Sequence, residues 1–380
     1  MRIGHLLVMF LLAWVVSCYI FAFGLSFLPP SLNTKQILGV LGIVAFCIHS
    51  FKIKSVRMST IVVISLTFAI VFSVWCFFSA MVNETDDYSY ATYFVSFFVW
   101  LGGAFGVVSL LRRYHGYCNL KLITDYLMFV CVMQCTLSQM IAHMPAFQII
   151  VDTYIQQGQE FLHEVDRLYG IGASLDPAGV RFSCVLVLMA HQVATNKWVT
   201  DNGWRLSVYL LSFVVIIVLG SMISRTTYVG AIMAIAYMIY FLGLSRRGVL
   251  TYRQLRFYGV LIALIALAVV ICTVLYNTNP DFRANLRFAF EGFFNWVENG
   301  EFTTSSTEKL DSQMWIWPDN FRDWMIGTGI FGNWYYNTDI GYCRFTLYCG
   351  LVGMAMFALF FIYNASVVVS KFKDAKLLGL

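Results

Sequence analysis

Apolar positions along the chain fall into long, nearly uncharged runs that are separated by shorter polar stretches. A helix needs roughly 20 apolar residues to cross the hydrocarbon core of a bilayer. A membrane β-barrel would instead show alternating polarity in segments of about ten residues. We therefore expect an all-α polytopic membrane protein that forms a single integral membrane domain over residues 1–380. The sequence predicts ten membrane-spanning helices, over residues 6–28, 37–51, 58–82, 92–111, 122–143, 182–194, 206–223, 228–244, 257–276 and 342–369.

Composition supports this class. The chain is 59% hydrophobic and 12% charged, whereas soluble proteins are about 25% charged. The first apolar run is too long for a signal peptide and lacks a small-x-small cleavage site, so we interpret it as a retained span. Most cysteines lie within apolar runs, and the sequence contains no C-x-x-C pair and no nucleotide-binding glycine fingerprint. We therefore expect neither a zinc site nor a disulfide framework, and no ATP-driven pump that carries its own motor.

The distribution of charge predicts an orientation. Lys and Arg concentrate in the cytoplasmic loops of membrane proteins. With ten spans and a cytoplasmic N-terminus, most of the 25 basic residues lie in the cytoplasm. All of the 20 acidic residues except Asp125, Asp201 and Asp374 then lie on the outer face. We therefore predict that both termini are cytoplasmic and that two long loops, 144–181 and 277–341, lie outside.

Each long outer loop carries apolar residues at helical spacing. This pattern is typical of an amphipathic helix lying on the membrane surface. The two stripes consist of Phe147, Ile150, Tyr154, Phe161, Val165 and Leu168 in the first loop and of Phe282, Leu286, Ala289, Phe293 and Val297 in the second.

Four arginines at the outer ends of spans are candidates for binding a negatively charged ligand. Arg181 begins the sixth span, Arg225 lies in a very short outer turn, and Arg322 and Arg344 flank the last polar stretch. A guanidinium group binds phosphate through a planar fork and keeps its charge at any working pH. Each of them could also extend to the interface and pair with a nearby carboxylate. For Arg225 we favour function, because an arginine in a tight outer turn opposes the positive-inside bias.

Asp339, at the mouth of the last span, is the candidate general base. A carboxylate there could accept the proton of an attacking hydroxyl. It could equally form an ion pair with Arg344 or cap the following helix. His143 and His163 are alternative bases, and Asp176 is interpreted as a turn residue.

Aromatic residues cluster in the same terminal stretch and could stack on sugar rings. An interfacial belt of aromatic rings is an equally good explanation. The cluster consists of Trp315, Trp317, Trp324, Trp334, Tyr335 and Tyr336, and Tyr342 follows at the start of the last span.

Several of these segments resemble the bacterial O-antigen and capsular polysaccharide polymerases of the O-antigen polymerase and ligase superfamily. The matching sequences are MIGTGIFG followed by DIGYCRFTLYCGLVGM, and upstream AGVRFS and SRTTYVG. Sharp motifs cover only some sixty residues. Two glycine-spaced arginine motifs known in some polymerases are not matched after Arg181 or Arg322, which argues against Arg322 as a catalytic residue.

The resemblance implies a fold of the GT-C type and a glycosyltransferase that needs neither metal nor nucleotide sugar. Such an enzyme would sit in the bacterial inner membrane. On the periplasmic face it would transfer a growing glycan from undecaprenyl diphosphate to the next lipid-linked repeat unit. The resemblance implies that Arg181 and Arg225 hold the diphosphate and that Asp339 is the base. Arg322, Arg344, Trp324, Tyr336 and Tyr342 would bind substrate, and a partner could set the chain length.

Two other functions remain open at this point. The sister ligases transfer glycan to lipid A-core and commonly carry histidine where this chain has Asp339, which favours the polymerase. A flippase for lipid-linked oligosaccharide would need cations along a cavity within its spans, and the spans here hold almost none. No feature of the sequence predicts nucleic-acid binding.

Overall fold

A computed structural model of the chain describes residues 3–29, 32–56, 58–164, 167–242, 252–332 and 335–371. Two two-residue strands, β1 (Gly24–Leu25) and β2 (Ile155–Gln156), form a small antiparallel ladder with Gly24 opposite Gln156. The helices are α1 (Ile3–Ile20), α2 (Thr34–Lys52), α3 (Thr60–Val82), α4 (Tyr93–His115), α5 (Leu120–His143), α6 (Pro145–Tyr154), α7 (Gln159–Glu164), α8 (Leu175–Thr195), α9 (Lys197–Thr200), α10 (Gly203–Ile223), α11 (Thr227–Leu242), α12 (Tyr252–Thr278), α13 (Pro280–Ala289), α14 (Glu291–Asn299), α15 (Ser305–Gln313), α16 (Phe321–Ile326) and α17 (Gly341–Lys371).

Eight of these helices are long and apolar enough to cross a membrane: α2, α3, α4, α5, α8, α10, α12 and α17. Two further predicted spans correspond to the shorter apolar helices α1 and α11. Many of their large apolar side chains are exposed, as expected where lipid rather than protein covers a helix. The structure therefore confirms an all-α polytopic membrane protein. The count of ten spans, the GT-C fold and the orientation stay predictions.

The chain divides into two compact units, each built from two separate stretches of sequence. The first unit comprises Met1–Gly42 and Gly103–Phe290, and the second comprises Ile43–Gly102 and Glu291–Leu380. Helices α2 and α4 each contribute residues to both units. A single membrane domain stays a prediction.

In the first unit, α8 packs against α5, α10 and α11. Its contact with α11 is close because glycine allows the two backbones to approach. A Cβ placed on Gly230 of α11 would lie 2.1 Å from Cα of Ser183. The Ser183 hydroxyl donates to the carbonyl of Thr226 at 2.8 Å and accepts from the N–H of Gly230 at 3.2 Å. Helix α8 is thereby fixed to the turn that carries Arg225.

A buried irregular segment, residues 167–174, also belongs to the first unit. Leu168, Tyr169, Ile171 and Ala173 are all buried. Irregular backbone is tolerated next to membrane-spanning helices only where protein satisfies its polar groups. The Gln134 side chain of α5 does this, because its amide donates to the carbonyl of Ile171 and accepts from the N–H of the same residue, both at 2.9 Å.

In the second unit, α17 packs against α3 and is interrupted at Gly350. Gly350 has φ 66°, a conformation that favours glycine. The interruption frees backbone carbonyls that would otherwise be satisfied within the helix. Thr328 donates to the carbonyl of Leu347, Ser79 to that of Tyr348 at 2.9 Å, and Trp75 to that of Cys349 at 2.8 Å. The last span is therefore a broken helix, and neighbouring segments hold the carbonyls of Leu347, Tyr348 and Cys349.

Four predicted helical segments differ from the structure. Helix α1 ends at Ile20 rather than at residue 28, and strand β1 follows it. Helix α8 begins at Leu175 rather than at residue 182, so Arg181 lies inside the helix. The stripe of the first loop is divided by strand β2 and by Gly158, which has φ 77°. Its members lie in α6, in α7 and, for Leu168, in the irregular segment 167–174, while Val165 lies outside the described residues. The stripe of the second loop is divided after α13, where Phe282, Leu286 and Ala289 are buried while Phe293 and Val297 of α14 are exposed.

Candidate functional site

A polar cavity of about 210 Å³ lies at the C-terminal end of α5 in the first unit. Helices α5, α6, α7 and α13 and the irregular segment 167–174 all contribute to its wall. Helix α13 faces the cavity with Asp281 and Asn285, because its apolar side, which carries Phe282 and Leu286, is buried. The remaining polar lining consists of Ser138, His143, Gln148, His163, Arg167 and Tyr169.

His163 is held by a carboxylate from a neighbouring helix. Its Nε2 lies 3.0 Å from Oδ2 of Asp152 on α6, and the Tyr169 hydroxyl donates to Oδ1 of the same carboxylate at 2.8 Å. Burial, together with the hydrogen bond to Asp152, raises the pKa of Tyr169 above its ordinary range. Tyr169 therefore stays a neutral donor that helps to position the Asp152 carboxylate.

Arg167 and Arg225 both contact the ring of Phe288 on α13. The guanidinium carbons lie 3.7 Å and 4.0 Å from the ring centroid, respectively. Arg225 also donates from Nε to the carbonyl of Phe288 at 3.1 Å. A cation near an aromatic face is stabilised by the ring quadrupole. Two positive charges are thus gathered at one ring, and one of them also lines the cavity.

The turn that carries Arg225 is tied to the start of α8 by Asp176. This carboxylate accepts hydrogen bonds from the hydroxyls of Ser224 at 3.0 Å and Thr226 at 2.9 Å. Gly179 allows the approach, because a Cβ there would lie 2.5 Å from the Ser224 hydroxyl oxygen. Asp176 therefore positions the residues on both sides of Arg225. It lies in the first turn of α8, so its interpretation as a turn residue was wrong.

Arg181 lies in a second cationic group of the same unit. Its guanidinium carbon is 5.6 Å from the ring centroid of Phe21. The positive charges of Lys35, at the start of α2, and of Arg181 lie within electrostatic range of each other.

Arg322 and Arg344 both lie in the second unit and donate to backbone carbonyls. Arg322 donates to the carbonyl of Val82 and Arg344 to that of Phe331, each at 2.9 Å. Arg344 also lies over the Phe331 ring at 4.1 Å. The alternative ion pair between Arg344 and Asp339 stays a prediction. Both arginines contribute to holding the polar stretch before α17.

Asp87 anchors the same stretch. Its carboxylate accepts hydrogen bonds from the N–H groups of Phe331 at 2.7 Å and Gly332 at 2.6 Å. Burial acts to raise the pKa of Asp87, but the hydrogen bonds from Ser89, Gly332 and Phe331 outweigh it and hold the pKa below its ordinary value of 3.8. Asp87 is therefore a structural carboxylate of the second unit.

Three of the predicted aromatic residues form a continuous stack. Trp317 and Trp324 lie 5.4 Å apart at an interplanar angle of 13°, and Trp315 lies 6.0 Å from Trp317. Tyr336 is half-buried, and Tyr342 is 66% exposed. Trp334 lies outside the described residues. The structure thus gathers the tryptophans into one exposed surface in the second unit.

Asp339 is exposed just before α17. The Thr338 hydroxyl accepts a hydrogen bond from the N–H of Ile340 at 3.2 Å, which closes a short turn before the helix. The alternative role of Asp339 as a helix cap stays a prediction. Its role as a base stays a prediction.

Arg167, Asp152 and Phe288 were not predicted from the sequence. Arg167 was one of several basic residues in an outer loop, and Phe288 lies off the predicted apolar stripe. Gln134 could have drawn attention to the segment that carries Arg167, because a polar side chain within a membrane span usually has a structural or functional role.

These features define a polytopic α-helical membrane protein with a cation-bearing polar cavity in one unit. Comparison with known proteins yields no relative, because no family model, no curated protein and no solved structure matches the chain. The resemblance to polysaccharide polymerases therefore rests on the sequence motifs alone.

Proposed function

We propose that this protein is a membrane glycan polymerase that transfers oligosaccharide from undecaprenyl diphosphate to a second lipid-linked repeat unit. The observation that supports the proposal is the pairing of Arg167 and Arg225 on Phe288, beside a polar cavity whose wall includes a histidine within hydrogen-bond distance of the Asp152 carboxylate. Glycosyl transfer from a diphosphate needs cations for the leaving group and a base for the acceptor, and this unit offers both kinds of group.

The leaving diphosphate gains negative charge as its bond to the sugar breaks. Arg225 and Arg167 stabilise that charge, which is catalysis by preorganised electrostatics. Arg225 is suited to this because the Phe288 carbonyl and ring fix its side chain before substrate arrives. Arg181, with Lys35, provides a second anion-binding subsite, which holds the lipid-linked diphosphate of the other substrate.

The residues of the second unit serve the glycan. The stack of Trp315, Trp317 and Trp324 offers flat apolar faces for sugar rings. We assign Tyr336 and Tyr342 to glycan binding as well, and Asp339 is retained as a candidate base. Arg322 and Arg344 contribute to substrate binding indirectly, by holding the backbone segments to which they donate hydrogen bonds. The proposed enzyme lies in the bacterial inner membrane with its site on the periplasmic face, and a separate partner regulates chain length.

The ligase is the second candidate, because it would use the same leaving group with a different acceptor. The third candidate, a flippase, requires cations along a path between the two faces of the membrane. Most of the cationic groups assigned to the first unit lie instead at helix ends and in connecting segments: Arg167 in segment 167–174, Arg225 in the turn after α10, and Lys35 at the start of α2. Arg181 lies within α8, in its second turn. This distribution favours a transferase.

The test uses purified protein reconstituted in lipid nanodiscs. Its substrate is the lipid-linked oligosaccharide that accumulates in a strain lacking the gene. We expect the wild type to form a ladder of polymers and Arg225→Ala to lose about 10²–10³-fold in rate, the typical cost of removing one donor to a developing oxyanion. Arg225→Lys should recover only part of the rate, because lysine lacks the planar fork.

Arg283→Ala is the matched control. Arg283 is an exposed arginine on the same α13 that carries Phe288, and its Nε donates to the carbonyl of Tyr276. It should polymerise at the wild-type rate. A folded Arg225→Ala protein with undiminished polymerisation would contradict the role of Arg225, and a wild-type protein that forms no polymer would contradict the proposed function itself.

A further inference from the structure

The His163 imidazole is held in one orientation by its neighbours. Because Nε2 faces Asp152 at 3.0 Å, the proton of the neutral ring is favoured on Nε2, where it can be donated to the carboxylate. The other ring nitrogen, Nδ1, then carries a lone pair. The arrangement of carboxylate and imidazole is the one that orients a histidine as a general base.

The cavity beside His163 has the composition of a site for hydroxyl groups. Its wall offers the carboxylate of Asp281, the amides of Asn285 and Gln148 and the hydroxyl of Ser138. Together these groups accept and donate hydrogen bonds, as recognition of a sugar requires. A volume of about 210 Å³ is below the roughly 300–1,000 Å³ of sites for drug-sized ligands. The cavity therefore suits one sugar ring rather than an extended chain.

We propose that this cavity binds the terminal sugar of the acceptor and that His163 is the catalytic base that activates its attacking hydroxyl. The inference rests on the proposed function and deepens it, because it assigns the acceptor subsite and transfers the role of base from Asp339 to His163. Asp152 and Tyr169 are positioning residues that act through the imidazole.

The step balances as follows. Nδ1 of His163 accepts the proton of the acceptor hydroxyl, and the hydroxyl oxygen forms a bond to the anomeric carbon of the donor glycan. The bond from that carbon to the diphosphate oxygen breaks, and the diphosphate leaves with the electron pair. The imidazolium is stabilised by Asp152, and the new negative charge by Arg167 and Arg225. The proton later passes from His163 to water.

Arg167 connects the two halves of the site. It lines the cavity and also lies 3.7 Å from the Phe288 ring that Arg225 contacts. An acceptor in the cavity would therefore lie next to the cations that hold the leaving group. Among the residues that the structure describes, the titratable and charged groups that contact His163 or line the cavity with it are Asp152 of α6, Tyr169 and Arg167 of segment 167–174, His143 of α5 and Asp281 of α13.

The experiment compares variants in the reconstituted polymerisation assay with the extracted lipid-linked oligosaccharide. His163→Ala should lower kcat by about 10²–10⁴-fold, the usual contribution of a general base, with KM for the lipid changed by less than a few fold. Imidazole added to the buffer should restore part of the lost rate, because it can enter the emptied position and accept the proton. His49→Ala, at an exposed histidine of the second unit, is the control and should keep the wild-type kcat.

His163→Gln separates catalysis from folding and from simple hydrogen bonding. Glutamine can bond to Asp152 and to a sugar but cannot accept a proton, so this variant should be as slow as His163→Ala. A wild-type rate in either His163 variant would overturn the inference about His163 but would not contradict the proposed polymerase function. A loss that glutamine restores, or that imidazole does not relieve in a folded His163→Ala protein, would also overturn it. Absence of polymer from the wild type would overturn the proposed function instead.

Discussion

Gln134 offers the most direct test of how the irregular segment 167–174 is held beside the membrane-spanning helices. Its side chain is 1% exposed and makes three hydrogen bonds, two with the backbone of Ile171 and one to the hydroxyl of Ser17 at 3.0 Å. Replacing it with leucine leaves both the N–H and the carbonyl of Ile171 without a partner. Water cannot replace the lost partner at a position that is closed to solvent.

The expected cost follows from those two backbone groups. A buried polar group that loses its partner costs about 1–3 kcal/mol, so Gln134→Leu should lower the free energy of unfolding by about 2–6 kcal/mol. Polymerisation should also fall, because the released segment carries Arg167 and Tyr169. Unfolding in mixed micelles at increasing denaturing-detergent fraction measures the stability, and the nanodisc assay measures the activity.

Gln139 provides a matched control on the same helix. Its Nε2 is buried and has no hydrogen-bond partner among the residues that the structure describes. Gln139→Leu removes an unsatisfied group and should therefore be neutral or stabilising. If Gln134→Leu proved as benign as Gln139→Leu, the segment would not depend on Gln134 and our explanation of its position would be wrong.

Three further predictions concern the second unit. Gly350→Ala should lower the thermal midpoint of unfolding, because φ of Gly350 is 66° and a Cβ there would lie 2.3 Å from the Met325 carbonyl oxygen. Gly341→Ala is the control and should leave the midpoint unchanged, because a Cβ there would have no atom within 4 Å. Equal midpoints of the two variants would contradict this prediction. Trp317→Ala interrupts the tryptophan stack and should shorten the polymer in the reconstituted assay while leaving folding intact, and unchanged chain lengths would exclude a glycan role. Because the folded-state pKa of Asp87 is lowered, its stabilising effect is present at neutral pH and is lost as the pH falls below about 4. The thermal midpoint of Asp87→Asn should therefore be lower than that of the wild type at pH 7 and approach it in acid, and a constant difference would refute this.

The membrane-spanning helices could be predicted because the bilayer fixes their length and polarity. Runs such as 58–82 and 122–143 correspond to α3 and α5. The start of α8 was missed because Asp176 and Pro177 resemble a turn. Pro177 is nevertheless compatible with the first turn of a helix, where its missing N–H costs nothing.

The site was only partly predictable, because its residues meet through tertiary contacts. Arg225 stood out from its position in a short turn, but nothing near it in sequence indicates Phe288 or Arg167. The interruption at Gly350 was equally hidden, since glycine is common in membrane helices. Its carbonyls are satisfied by Trp75, Ser79 and Thr328, and only the folded chain brings those side chains to the interruption.

Surface polysaccharide from a strain that lacks this gene provides the most direct test of the central claim. If the protein is the polymerase, a gel should show the long ladder collapsing to a core that carries one repeat unit, because flipping and ligation of single units continue. Wild-type protein supplied from a plasmid should restore the ladder, and the Arg225→Ala protein should not. Loss of the single repeat as well would contradict the polymerase and indicate a ligase or flippase, and an unchanged ladder would contradict any role in this pathway.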